Sequence, residues 1–168
     1  KTSWLEIDDP KDWPTHRTIA SLVVVPDKGC RIAHFALTGM HIAHKTETAS
    51  NWAWATFEHR MNAPDRFEMQ DGTAKGPYTF ADADCPRDKC PWNEKPDSPE
   101  GPKSQVVRLV PIADTPGFGN NVATLNRQAR ELIEKTAPGS VWANYELVNV
   151  QWPESPIPIE KRKDLPGL

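Results

Sequence analysis

A mainly β protein is expected, either an antiparallel sandwich or a curved sheet with one packed α-helix over about residues 121–136. Three observations lead there. Short apolar runs rich in Val, Ile, Thr and Trp recur, most clearly TIASLVVV at 18–25 and WAWATFEH at 52–59. A single stretch carries apolar residues at convincing helical spacing. Seventeen prolines among 168 residues, about twice the usual share, break the remainder into turns, loops and strand ends.

The chain opens on Lys1-Thr2-Ser3-Trp4-Leu5-Glu6-Ile7, which alternates like a strand already under way, and upstream residues are expected to be missing. Residues 18–25 are β-branched and apolar, as in a buried strand. Pro26-Asp27-Lys28-Gly29 turns the chain into a long strand from about 31 to 45. KTETAS then leads to a strand from about 51 to 60, and the three strands suit an antiparallel meander. Residues 61 to 104 hold many Pro, Asp, Gly and Lys residues and little periodicity, as in a long functional or disulfide-pinned loop. QVVRLV at 105–110 suits another strand, ended by Pro111. Val122, Leu125, Ala129, Leu132, Ile133 and Thr136 make one face of the helix, with Asn120 or Asn121 as its cap and Pro138-Gly139 as its stop. VWANYELVNVQW at 141–152 is the last strand. One domain over 1–155 and a Pro-rich tail over 156–168 result.

The composition excludes several functions. The hydrophobic fraction is 38% and the charged fraction 26%, a globular balance on the polar side. The net charge of −3 comes from interspersed acids and bases, so no basic stripe supports nucleic-acid binding. No apolar run approaches the roughly 20 residues of a membrane span. No nucleophile elbow, P-loop, dinucleotide fingerprint or Cys-x-x-Cys-His is present. GFGNN at 117–121 precedes the helix like an anion-binding turn, but a capped loop is the simpler reading.

Cys85 and Cys90 sit in DADCPRDKCPW. A disulfide there would close a small loop where no core holds it, and would imply an oxidising, extracytoplasmic compartment. The alternative is half a zinc site completed by distant histidines. Cys30 is left over, either buried or paired outside the chain.

Residues 38–62 concentrate three of the five histidines and two of the seven tryptophans. On a strand His41 and His44 point to opposite faces, as do Glu58 and His59, so neither pair makes a joint site. With the connection centred between 47 and 48, His41 sits opposite Trp54, and His59 lies opposite Ala36 and diagonal to His34. A one-residue slip would bring His59 to the His41 face. Three readings compete. In the first, His41 and His59 are half-buried and hydrogen-bonded, with Glu58 paired to Lys45 or Arg60. In the second, His34, His41, His44 or His59 ligates a transition metal or a haem iron. In the third, Trp52 and Trp54 form an aromatic platform for a sugar ring or a flat cofactor. The small Ala53 and Ala55 on the other face favour burial of the two indoles.

HIAHKT followed by NWAWATFEHRMNAP resembles a segment of large bacterial proteins labelled cytochrome c family or uncharacterised. CPRDKCPWN, QVVRLVPI and WANYELVNVQWP are similar to the loop, strand and ending that follow in those proteins, so the likeness spans most of residues 1–155. It implies an exported domain (periplasmic, cell-surface or secreted), and together with the density of histidines and their aromatic companions it points to a redox or electron-transfer role. The hairpin would then contact a haem or metal through His41 and His59. The partner would be the remainder of a longer polypeptide or another subunit. Two rivals stand beside it. One is a non-enzymatic carbohydrate- or ligand-binding module. The other is a metal-dependent hydrolase or oxygenase using His34, His59 and Glu58.

Overall fold

The computed structural model describes residues 1–45, 52–95, 105–112 and 122–151. Five strands form one open antiparallel sheet: β1 (Thr2–Ile7), β2 (Thr18–Val25), β3 (Gly29–Lys45), β4 (Trp52–His59) and β5 (Tyr145–Gln151). The spatial order is β1-β3-β4-β5, with β2 also on β3. This is a single sheet rather than two facing ones. Among the described residues there are two α-helices, α1 (Arg66–Asp71) and α2 (Val122–Thr136). None of the described helices is long and apolar enough to cross a membrane.

The seventeen-residue β3 is the spine. β1 pairs along residues 34–40, β2 along 29–36 and β4 along 39–45. The overlaps put β1 on one edge of β3 and place β2 and β4 end to end on the other. A seam is left at Leu37–Thr38. The β2–β3 turn is tight because Pro26 presets its own φ, Asp27 takes a left-handed φ of 61°, and Lys28 N–H donates to the Val25 carbonyl at 3.0 Å. Both expected antiparallel neighbours of β3 are therefore present, but β2 and β4 share one edge of it and β1 takes the other, so the three strands do not form the expected meander.

Register differs from expectation by two residues. His41 pairs with Thr56 and Ala43 with Trp54. An even shift keeps every side chain on its predicted face while changing its partner. Two bulges bend the sheet. One leaves Thr38 unpaired with β1 and the other leaves Val148 unpaired with β4.

Four elements depart from the sequence expectations. β2 is a strand but not a buried one: with its outer edge unpaired among the described residues, Leu22 and Val24 are exposed. QVVRLV is not a strand. Among the described residues it makes only single bridges, Trp92 to Gln105 and Asp65 to Arg108. Its backbone is held instead by the irregular segment beneath it: Val106 N–H donates to the Phe80 carbonyl, Val107 N–H to Asn93 Oδ1, and Arg108 N–H to the Pro64 carbonyl. Residues 141–144 form a 3₁₀ turn capped by Ser140, and the last strand starts only at Tyr145. Helix α1 was not expected, although Asp65 and Glu68 build a capping box and Gly72 closes it in the left-handed region.

Among the described residues the apolar core is small: Ile7, Ala33, Ala36, Leu37, Ala63, Val107 and Leu147. Helix α2 lies along the outer edge of β5, where Asn126 donates to the Leu147 carbonyl at 2.9 Å and accepts from its N–H at 2.8 Å. The inner side of the helix thus includes polar Asn126, while Leu125 and Leu132 of the predicted apolar face are exposed. The expected caps Asn120 and Asn121, the turn at 117–121, the centre of the hairpin connection and the tail at 156–168 lie outside the described residues. Among those described, β2 has no partner on its outer edge.

Candidate functional site: a polar cleft beside two tryptophans

Alternation along β4 sets Trp52, Trp54, Thr56 and Glu58 on one face. Across on β3 the same face carries Lys45, Ala43, His41 and Gly39. Both indoles are half-exposed, Trp52 at 50% and Trp54 at 49%. The burial favoured by the small alanines does not occur, because this end of the sheet is open and Ile42 on the opposite face is exposed as well.

Further along the same face, from Thr56 to Glu58, lies a cleft of about 310 Å³ lined by Ser3, Thr38, His41, Thr56, Glu58 and Asn62, among others. Gly39 keeps its floor low, since a Cβ there would meet the Phe57 carbonyl at 3.2 Å. His41 is exposed and its Nδ1 lies 2.9 Å from Thr56 Oγ1. Thr38 Oγ1 donates to the Ser3 carbonyl at 3.2 Å. Glu58 is ion-paired to Arg108, not to Lys45 or Arg60, and Arg108 also holds Asp65 at 2.9 Å. Glu146 faces Glu58 across the ladder. Burial raises the Glu146 carboxyl above its ordinary pKa, while Arg108 and Arg130 oppose that shift.

Behind the cleft lies the seam, closed by side chains in place of a strand. Tyr145 Oη accepts from Arg17 N–H at 3.0 Å and donates to the Leu37 carbonyl at 2.8 Å. Asn62 Nδ2 donates to the Thr38 carbonyl at 2.7 Å. That bond fixes the orientation of the amide, so Oδ1 is the end left without a partner among the described residues. His59 is fully buried. Its Nδ1 accepts from Met61 N–H at 3.2 Å, so Nε2 carries the proton and donates to the Thr15 carbonyl at 3.2 Å. His16 stacks on it, with centroids 3.6 Å apart and planes 14° apart, and the Tyr145 ring meets His59 edge-on. Burial, then the neighbouring His16, holds His59 well below the usual histidine range, at about 4. Burial lowers His16 too.

The structure therefore separates the candidate ligands. His41 stands on the cleft face. His59 is sealed on the other, with both nitrogens engaged by backbone. His34 is half-buried between Ile7 and Ala20, and exposed His44 pairs with Ala53. Among the described residues no group of three His, Cys, Asp or Glu could hold a metal ion. The haem or metal contact through His41 and His59 together does not fit this arrangement, nor does a His34, His59 and Glu58 triad. His16 escaped the sequence reading: it sits alone in the Pro-rich link before β2, and only the chain path over the seam brings it to His59. Cys85 and Cys90 form a disulfide with a Cα–Cα distance of 6.0 Å, and Cys30 is exposed and unpaired. Comparison with known protein families, curated proteins and solved structures yields no match.

Proposed function

We propose that this domain is a non-enzymatic binding module for a polyhydroxylated ligand, an oligosaccharide in particular, carried by an exported bacterial protein of the cytochrome-c-family-like kind. One observation carries the reading: two half-exposed indoles, two residues apart on one strand, share their strand face with Thr56 and Glu58, which line a cleft of hydroxyl, imidazole and carboxylate groups. Indole faces suit the apolar side of a sugar ring, and short polar side chains suit its hydroxyls. From Trp52 to Glu58 the strip runs about 20 Å at ordinary strand rise, long enough for several rings. The Cys85–Cys90 disulfide supports an extracytoplasmic location. The redox role implied by the resemblance would then belong to the polypeptide that this domain serves.

The test is titration with neutral hexasaccharides (cellohexaose, maltohexaose and chitohexaose), followed through tryptophan fluorescence. Saturable quenching by one of them, lost in a Trp52→Ala/Trp54→Ala double variant that still folds, is the expected result. A flat response to all three removes the saccharide reading.

A further inference from the structure

We propose that His16 and His59 form a proton-operated latch on the cleft: with both rings neutral the seam is shut and the cleft binds, and protonation opens the seam and releases the ligand. The inference rests on the binding reading above and assigns its regulation.

The geometry of His59 carries the argument. Its two hydrogen bonds require a neutral ring with the proton on Nε2. An imidazolium has two donors, so a proton arriving at Nδ1 would face the Met61 N–H, donor against donor. The stacked His16 ring, 3.6 Å away, cannot share that charge favourably. Among the described residues, the titratable and charged groups that bear on His59 are His16 from the link before β2, Tyr145 from β5 and Arg60 just past β4. None of them offsets a positive charge.

Met61 is also the handle of the cleft wall. The next residue, Asn62, holds the Thr38 carbonyl and lines the cleft. Thr79 N–H donates to the Met61 carbonyl and Phe80 N–H to that of Asn62, and Phe80 lines the cleft as well. Displacing Met61 from His59 therefore shifts Asn62 and Phe80 together and frees the Thr38 carbonyl. Ligand groups held by Thr38 and Asn62 lose their frame. Because burial keeps His59 near a pKa of about 4, the latch stays shut at neutral pH and trips only in acid.

The experiment follows His59 ring signals and backbone amides by NMR from pH 7.5 to 3.5 without ligand. Affinity for the best-binding hexasaccharide is measured over the same range. The expected result is that the amides of Leu37, Thr38, Met61 and Asn62 move with the His59 ring, while those of the β2–β3 turn stay. Affinity should fall at least tenfold over that transition. His59→Gln, which keeps a donor and an acceptor but does not titrate, should flatten both profiles. Seam amides that ignore the ring, amides of the whole sheet that move as one, or a His59→Gln profile identical to wild type would overturn the latch. If His59→Gln does not fold, the coincidence of ring and seam amides in the wild type decides. A protein that binds no hexasaccharide at any pH loses the binding reading, while the amide titration still decides whether the seam opens.

Discussion

Tyr145 shows how much one polar atom can carry. Its hydroxyl stands in the β2–β3 ladder where a backbone partner is missing, accepting from Arg17 and donating to Leu37. Tyr145→Phe keeps the ring against His59 but orphans two backbone groups, at a cost of about 1–3 kcal/mol. Urea unfolding should show this as a lower midpoint with an unchanged slope. Trp54 makes the opposite case. It is half-exposed, so Trp54→Ala should leave stability nearly intact while weakening saccharide binding about tenfold, the equivalent of ~1.4 kcal/mol. Fluorescence titration of the variant through its remaining tryptophans measures the second effect and thermal unfolding the first.

At the scale of elements, α2 is a helix whose apolar stripe is not its buried face. Its inner side is tied down by Asn126 to β5 and by Arg130 to the Ala143 carbonyl. Leu132→Ala should therefore change stability by less than about 1 kcal/mol, far below the 2–5 kcal/mol of a core leucine, and chemical denaturation would reveal the difference. The same helix shows where the sequence is informative. Periodicity located α2 to within a residue, because an apolar spacing of 3.6 forms a helix whichever side then packs. It could not say which face turns inward, since that depends on where the edge of β5 lies. The strands TIASLVVV and WAWATFEH were legible for a similar local reason. QVVRLV looked the same, yet its neighbours offer side chains and loop carbonyls, not a strand edge. Face assignments at the site survived because the register error was even. The seam was invisible, because it joins His16, Leu37, His59, Asn62 and Tyr145 across more than a hundred residues of chain.

For the whole molecule, pH should act mainly through the two buried imidazoles. Both have lowered folded-state pKa values, so the unfolded chain binds more protons as the medium acidifies. Their contribution is fully present above about pH 6.5 and is lost as pH falls through the folded value of about 4 for His59. For His59 alone this amounts to about 3 kcal/mol. Glu146 works the other way: its raised pKa makes its contribution greatest in acid and smaller as pH rises through that value. Urea midpoints at pH 7, 5.5 and 4.5 should fall in that order, and His59→Gln should lessen the drop. One architectural detail has a practical side. The outer edge of β2 is an eight-residue stretch without a charge or a proline, and such edges recruit other chains. At high concentration, loss of soluble protein should begin there, in fibre-like stacks with strand signatures and not as amorphous precipitate. Leu22→Lys, at a position already 65% exposed, should keep the protein in solution at little cost to its fold.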